Sequence, residues 1–281
     1  MSDIADDGIR DVEIRLLLEG IHHVYGYDFR DYAEASIKRR LSHWLAESPF
    51  ETFSAAQERL LRERPLFEAL LAGITVNVTE MFRDPLFFKA VREQVVPFLK
   101  TYPFVKIWHA GCATGEEAYS MAILLHEEGL AGRYRMYATD INETVLQHAA
   151  EGVLSIGDMQ RYTRNYQKSG GKRSFADYYT ARYDRAILAA ELRKDIVFAP
   201  HNLAVDAEFG EMHVVLCRNV MIYFKAALKE RCLRLFDDSL LPGGFLCLGM
   251  KENLERRMPS ERYTELAPGI RIYRKNYDRA S

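Results

Sequence analysis

The sequence has few of the features that mark several large protein classes. Its 281 residues include four cysteines, without a Cys-x-x-Cys pair or a histidine cluster beside them, which excludes a disulfide scaffold and argues against a zinc site. No apolar run approaches ~18 residues, so no segment fits a membrane-spanning helix. The acidic, polar start does not resemble a secretory signal. We therefore expect a cytoplasmic protein with reduced thiols.

An excess of charge of one sign is also missing. Lys plus Arg total 38 and Asp plus Glu total 40, so the net charge is −2. This balance indicates neither nucleic acid nor an anionic membrane as a general partner, although a local basic face remains compatible with it. Hydrophobic residues are 48% and charged residues 28%, which is ordinary for a globular protein of one or two domains.

The first 72 residues predict a small helical domain without strands. Apolar residues recur at helical spacing in a first helix: Ile9, Val12, Leu16, Ile21 and Val24. A second helix places its apolar residues on one side: Ile37, Leu41, Trp44 and Leu45. At 100° per residue, Arg39 falls opposite that side, with Lys38 and Arg40 at its edges. A third helix near residues 53–61 and a fourth after Pro65 complete the domain.

Residues 73–281 have a different pattern, in which short apolar strands alternate with helices from about residue 104. Strands that are apolar without alternation are typical of a parallel sheet covered on both faces. We therefore predict an α/β domain of the doubly wound, Rossmann-like type. Residues 152–195, rich in Tyr, Arg and Lys, do not fit and predict an inserted antiparallel β subdomain, with a strand at 178–183 and Gly170-Gly171 as a hairpin turn.

A glycine-bearing turn and an acid follow the first two strands of this domain. Gly111 and Gly115 bound the turn, and Asp140 ends the second strand. Glycines admit a ligand close to the backbone, and an acid in that place accepts hydrogen bonds from ribose hydroxyls, so a nucleoside ligand is indicated. These features alone leave a nicotinamide cofactor and S-adenosylmethionine both open. Glu116 and Glu117 at the helix start repel a pyrophosphate but accept from an amino group, which favours S-adenosylmethionine.

Four ordered segments make the sequence resemble the chemotaxis receptor methyltransferases. Residues 108–120 (Trp-His-Ala-Gly-Cys-Ala-Thr-Gly-Glu-Glu-Ala-Tyr-Ser) are similar to the family signature, and residues 77–83 (Asn-Val-Thr-Glu-Met-Phe-Arg) to its Asn-x-Thr-x-Phe-Phe-Arg segment. Residues 138–141 (Ala-Thr-Asp-Ile) match its ribose strand, and residues 217–224 (Cys-Arg-Asn-Val-Met-Ile-Tyr-Phe) its late strand. His-Asn-Leu at 201–203 fits between them, and the resemblance covers nearly the whole chain.

The resemblance implies an enzyme that uses S-adenosylmethionine to methylate glutamate carboxylates on receptor helices. The cofactor site that it implies consists of Asn77, Thr79, Arg83, Gly111, Glu116, Asp140, Asn202, Leu203, Arg218 and Asn219. Arg83 and Tyr223 are the expected catalytic residues near the methyl group. Receptor helices would meet the basic helix face of Lys38, Arg39 and Arg40. In some members of the family the insert takes a receptor tail peptide by strand addition, and the sequence is equally compatible with an enzyme that does not use a tail.

The reaction implied requires no general base, because a glutamate carboxylate, with a reference pKa of about 4.3, is already ionised near neutral pH. Arg83 can orient a carboxylate, of substrate or cofactor, through two parallel hydrogen bonds. The sequence departs from the family pattern at few positions: His109 replaces Ser, Ala118 replaces Pro and Met81 replaces Phe. Where the family often has a late Ser-Glu pair, this sequence reads Met250-Lys251-Glu252-Asn253, which puts the substrate, or a contact near the site, in doubt.

Three other functions stay compatible with the sequence. A signalling adaptor could bind the cofactor and a receptor without transferring a methyl group. A methyltransferase with the same sheet could act on another protein or on a small molecule, although the basic helical domain argues against a small molecule. A nicotinamide enzyme is disfavoured by the spacing of the glycine turn.

Overall fold

The computed structural model describes residues 2–75, 79–254 and 260–277. The chain divides into two compact units, the first formed by Met1–Val76 with Tyr223–Arg231 and the second by Asn77–Ile222 with Cys232–Ser281. The predicted division after residue 72 falls within the last helix of the first stretch, Arg64–Ile74. Sequence reasoning did not expect Tyr223–Arg231 to join the helical unit.

The first unit is helical, as predicted. Its first four helices are α1 Ser2–Tyr25, α2 Glu34–Glu47, α3 Phe53–Arg62 and α4 Arg64–Ile74. The apolar side of α2 is buried through Ile37, Leu41 and Leu45. Thr52 begins α3 by accepting a hydrogen bond on its side chain from Ala55 N–H, which satisfies one free amide of the first turn.

The face of α1 that is buried differs from the apolar row identified in the sequence. Four of the five residues in that row are exposed: Ile9, Val12, Leu16 and Val24. The buried residues of α1 are Ile14, Leu17, Leu18 and Ile21. The helix carries apolar residues on two faces, so helical spacing alone does not determine which face packs against α3.

The second unit contains the β-sheet. Its helices are α5 Pro85–Ala90, α6 Val96–Leu99, α7 Glu116–Glu127, α8 Glu143–Glu151, α9 Met159–Lys168, α10 Ala190–Arg193 and the later part of α11 Ala226–Ser239. Its strands are β1 Val105–Ala110, β2 Tyr134–Asp140, β3 Val153–Ser155, β4 Tyr179–Arg182, β5 Arg185–Leu188, β6 Ile196–Pro200, β7 Met212–Cys217, β8 Leu240–Leu248, β9 Tyr263–Glu265 and β10 Ile272–Lys275.

The main sheet has seven strands in the order β6-β2-β1-β7-β8-β10-β9. The first five are parallel, which confirms the predicted doubly wound α/β architecture. Strands β9 and β10 are antiparallel to each other, since residues 266–271 between them are too few for a crossover connection. Most residues of β1 and of α7 are buried. The core of the unit therefore extends to the carboxyl end of β1, close to where α7 begins.

The predicted β insert is confirmed as a three-stranded antiparallel sheet in the order β3-β5-β4. Its hairpin turn is Tyr183-Asp184, so the prediction of Gly170-Gly171 as the turn is wrong. Gly170 instead follows the end of α9 with a φ of +80°, where its N–H donates to Gln167 O. A glycine pair suits a helix end as well as a hairpin, and only the neighbouring chain distinguishes them.

Glu127 connects the insert region to the main core at the end of α7. Its side chain is 1% exposed and pairs with Arg92. It also accepts hydrogen bonds from Tyr166 Oη, from Tyr178 Oη at 2.9 Å and from Lys172 N–H at 2.9 Å. Burial raises the pKa of Glu127, but these hydrogen bonds and the Arg92 charge outweigh burial and lower it below its ordinary value.

Among the described residues, no helix combines the length and apolar character needed to cross a bilayer. The described residues also hold no group of three or more His, Cys, Asp or Glu side chains placed to bind a metal ion.

We expect Glu127→Gln to lower the free energy of unfolding by about 3 kcal/mol. A neutral amide cannot accept hydrogen bonds from all four donors, and the buried Arg92 guanidinium loses the negative charge of this partner. Urea denaturation measures the change. The advantage of the wild type is complete above the ordinary glutamate pKa and is lost as pH falls through the lowered value. The matched control Glu93→Gln, exposed and close in sequence to Arg92, stays within about 0.5 kcal/mol. Equal effects of the two variants contradict this assignment.

Candidate active site

The predicted cofactor residues gather where parallel strands end. Because β6, β2, β1 and β7 run in the same direction, the residues that follow them lie along one edge of the sheet. Gly111 follows β1, Asp140 ends β2, Asn202 follows β6 and Arg218 follows β7. The strand order reverses at β1, because β2 and β6 lie on one side of it and β7 and β8 on the other. Sheets of this type bind ligands at the carboxyl ends of the strands beside such a reversal.

The turn after β1 requires glycine at Gly111. Gly111 has a φ of +79°, and a Cβ atom there would lie 2.5 Å from Val220 Cγ2. Gly111 N–H and Cys112 N–H both donate to Thr139 O, at 2.8 and 2.9 Å, which joins the turn to the end of β2. A larger residue would therefore have to displace Val220 as well as adopt a strained backbone.

Asp140 organises the same turn and keeps capacity for a ligand. Its Oδ2 accepts from Ala113 N–H at 2.9 Å, and its Oδ1 accepts from Asn142 N–H at 3.0 Å. Burial raises its pKa above the ordinary value. A carboxylate has about four acceptor positions, so beside its backbone donors, which include Ile141 N–H, Asp140 can still accept from a ribose hydroxyl.

Glu116 supplies a second buried carboxylate at the start of α7. Thr114 Oγ1 donates to its Oε2 at 2.7 Å, and burial raises its pKa. A cationic amino group beside a buried carboxylate stabilises its charged form. The two acids and the glycine turn therefore fit S-adenosylmethionine, with Asp140 on the ribose and Glu116 on the amino group of the methionine end.

Arg218, directly after β7, lies in a buried cluster of charges. Its side chain is 0% exposed, Nη2 donates to Asp84 Oδ2 at 2.7 Å and Nη1 donates to Glu117 Oε2. The guanidinium lies over the ring of Phe87, 3.9 Å from its centre. Burial raises the pKa of Glu117, but the Arg218 charge and the contact with His109 outweigh burial and bring it to about 2.

The turn that precedes α5 presents Arg83. Phe82 and Asp84 on either side of it have φ values of 53° and 56°, which are rare for residues other than glycine. Phe82 N–H donates to Ser120 Oγ at 2.8 Å, and its ring is fully buried. Arg83 itself is half-buried. Sequence reasoning did not single out Ser120, whose only signal in the sequence is a small hydroxyl between Tyr119 and Met121.

Glu252 is a further residue that organises the site. Its two carboxylate oxygens accept from four backbone N–H groups: Asn219 at 2.9 Å, Val220 at 3.0 Å, Ile222 at 3.2 Å and Gly249 at 2.7 Å. The segment at 250–253, which departs from the family pattern, thus contributes an acid that holds the loop after β7.

The remaining predicted cofactor residues are distributed as follows. Thr79 is half-buried, and Asn77 lies outside the described residues. After β6, Asn202 Oδ1 accepts from Ala204 N–H at 3.0 Å, and Leu203 is buried. Asn219 has a φ of 63°, and its Oδ1 is buried without a hydrogen-bond partner among the described residues.

The other predicted functional residues belong to the helical unit. The Arg40 guanidinium lies 4.5 Å from the centre of the Tyr223 ring and donates to Ile74 O at 2.7 Å. Lys38 pairs with Asp11 and Glu34, whereas Arg39 is exposed. The three adjacent basic residues therefore have three different environments. The catalytic role of Tyr223 and the partner-binding role of the basic residues stay predictions.

We expect Asp140→Asn to weaken S-adenosylhomocysteine binding about 100-fold, because the amide places a donor where a carboxylate oxygen accepts both a backbone amide and a ribose hydroxyl. Isothermal titration calorimetry measures the dissociation constant. Asp177→Asn, an exposed change in the same unit, is the control and leaves binding unchanged. Wild-type affinity in Asp140→Asn contradicts the assigned ribose contact.

Comparisons with known proteins identify the family of this chain. The family model described as "CheR methyltransferase, SAM binding domain" matches residues 77–268, and "CheR methyltransferase, all-alpha domain" matches residues 12–75. A "Putative methyltransferase Cher3" of Pseudomonas putida is 51% identical over 266 residues, which cover 95% of this chain and 97% of that protein.

Two further relatives carry the name of chemotaxis protein methyltransferase. "Chemotaxis protein methyltransferase Cher2" of Pseudomonas putida is 32% identical over 215 residues, covering 73% of this chain and 76% of that protein. A "Chemotaxis protein methyltransferase" of Listeria innocua is 29% identical over 231 residues, covering 82% and 85%. With both domains matched in order, the chain belongs to the CheR methyltransferase family, and its cofactor is S-adenosylmethionine.

Proposed function

We propose that this protein transfers the methyl group of S-adenosylmethionine to glutamate side chains on the cytoplasmic helices of chemoreceptors. One structural observation carries the proposal. The turn that presents Arg83 is joined through Asp84 and Arg218 to Glu117, the residue next to the cofactor acid Glu116. A cation suited to a substrate carboxylate is thereby fixed to the helical turn that contacts the cofactor.

The chemistry fits the residues present. The attacking carboxylate is ionised at neutral pH, so the site needs to align its oxygen with the methyl carbon and does not need to remove a proton. The cofactor supplies an activated methyl group on a positively charged sulfur. Because the negative carboxylate and the positive sulfonium neutralise each other during transfer, a site that excludes water favours the reaction.

Arg83 is proposed to hold the substrate carboxylate. A half-buried guanidinium forms charge-assisted pairs with carboxylates through two hydrogen bonds, and these fix orientation as well as position. Its location on a strained, anchored turn limits the motion of its backbone, which is the arrangement expected of a group that aligns a reactant.

We expect Arg83→Ala to reduce kcat/KM for receptor methylation about 100-fold, equivalent to about 3 kcal/mol, through loss of this alignment. The assay follows transfer of labelled methyl groups from S-adenosylmethionine to receptor cytoplasmic domains of the source organism, released as methanol by base. Arg83→Lys retains part of the rate, and the exposed control Arg164→Ala retains all of it.

Calorimetry with S-adenosylhomocysteine separates the possible outcomes of that assay. Unchanged affinity in Arg83→Ala assigns Arg83 to the substrate, whereas an affinity loss equal to the rate loss assigns it to the cofactor carboxylate. Wild-type protein that binds S-adenosylhomocysteine but methylates no receptor domain overturns the proposed activity in favour of a signalling adaptor or of another protein substrate.

Receptor helices carrying methylatable glutamates are acidic, and a basic helix face would attract them. On α2 the charge of Lys38 is offset by Asp11 and Glu34, and Arg40 is committed to Tyr223 and Ile74. Arg39 is the exposed member of the three. We therefore propose Arg39 as the principal contact on this face.

We expect Arg39→Glu to raise KM for the receptor domain about fivefold with little change in kcat, since an exposed charge acts on encounter and contributes about 1 kcal/mol. The effect shrinks as salt is raised. Arg62→Glu, an exposed change of the same type on α3, is the control. A KM shift of equal size in both variants contradicts a specific contact.

A receptor tail peptide at the insert is a further part of the proposal. Strand β4 is an edge of the three-stranded sheet, and Thr180, Ala181 and Arg182 on it are exposed. An exposed edge strand has unpaired backbone groups that can take an added strand.

A further inference from the structure

A continuous chain of polar side chains runs from β1 to the turn before α5. It is largely buried, and its last member, Asp84, has a side chain that is 37% exposed. His109 on β1, with a side chain 2% exposed, places Nδ1 3.6 Å from Glu117 Oε1. Glu117 accepts from Arg218 through its other oxygen, and Arg218 reaches Asp84 at 2.7 Å. The chain thereby connects a core strand, the first turn of α7 and the residue that follows Arg83.

The two terminal nitrogens of Arg218 each donate to a carboxylate, whereas its buried Nε–H has no hydrogen-bond partner among the described residues. Its Nη1 and Nη2 are committed to Glu117 and Asp84, and its plane is covered by the ring of Phe87 at 3.9 Å. A side chain that is 0% exposed and held on three sides is suited to fixing other residues. Through these contacts Arg218 fixes the positions of Glu117 and Asp84.

The turn that carries Arg83 needs such support. Phe82 and Asp84, with φ values of 53° and 56°, adopt left-handed conformations that are strained for residues other than glycine and persist only where surrounding contacts enforce them. Phe82 is enforced by its buried ring and by Ser120. Asp84 is enforced by Arg218 and by Phe87 N–H, which donates to Asp84 O at 2.8 Å.

We infer that Asp84 and Arg218 are positioning residues, which hold the left-handed turn at 82–84 and thereby set the direction of Arg83 toward the substrate carboxylate. The inference rests on the substrate contact of Arg83 in the proposed function. Loss of the Asp84–Arg218 bond releases one end of the turn, so Arg83 samples directions that do not align the substrate, although the cofactor acids Glu116 and Asp140 keep their own contacts.

Asp84→Asn tests this inference with little risk to folding, because the amide is nearly isosteric and Arg218 keeps its pair with Glu117. Hydrogen–deuterium exchange followed by mass spectrometry reports on backbone opening in the peptide covering residues 80–88. We expect exchange there to accelerate about tenfold. We expect kcat to fall about tenfold with KM for S-adenosylmethionine unchanged within about twofold. Asp84→Glu, which keeps the charge, recovers part of kcat.

The matched control is Asp237→Asn, which removes a buried carboxylate paired with Lys275 at 3.3 Å and Arg262 at 2.8 Å at the other side of the sheet. It is expected to lower stability without changing kcat or exchange at 80–88. The double variant Arg83→Ala/Asp84→Asn is expected to be no slower than Arg83→Ala alone, because Asp84 acts through Arg83.

Each outcome decides the inference. Unchanged exchange at 80–88 in Asp84→Asn overturns it, whether or not the wild type methylates receptors. Faster exchange with an unchanged kcat also overturns it, as does a double variant in which the two losses multiply. If the wild type transfers no methyl group, the proposed function fails, and the exchange result still determines whether Arg218 holds the turn.

Discussion

The buried guanidinium of Arg218 is the constraint on which the rest of the site depends. A charge with a fully buried side chain is tolerated only with close partners, and removing one partner of a buried pair typically costs about 3–5 kcal/mol. Arg218 therefore requires Glu117 and Asp84 to stay where they are. Through them it connects the end of β7, the start of α7 and the turn before α5, which come from three distant parts of the chain.

The acids of the site show how environment gives one residue type several roles. Burial raises the pKa values of Glu116 and Asp140, and the remaining acceptor positions of these carboxylates suit the amino group and hydroxyls of the cofactor. Glu117, beside Arg218, has its pKa brought to about 2 and is committed to the protein. Glu252 accepts four backbone amides and holds the loop after β7. The acids of the site thus serve different purposes: cofactor binding, charge pairing and loop formation.

Local sequence patterns predicted the elements that depend on local physics. The parallel strands, the glycine turn and the acid at the end of β2 follow from apolar runs, backbone freedom and strand termini, and the structure contains all of them. Predictions failed where a pattern fits two environments. The exposed row of α1, with Ile9 and Leu16, has the same spacing as a buried row. Gly170-Gly171 suits a helix end as well as a hairpin.

The sequence by itself determined the family, the cofactor and the order of helices and strands, because these depend on motifs and periodicities carried by contiguous residues. Only the tertiary structure decided which charged side chains are available and which are already paired. Lys38, Arg39 and Arg40 are alike in the sequence, yet one is ion-paired, one exposed and one packed on an aromatic ring. The tertiary structure likewise decided the role of Glu252. Most of its backbone partners are distant in the chain, and such partners are set by packing, which no local pattern encodes.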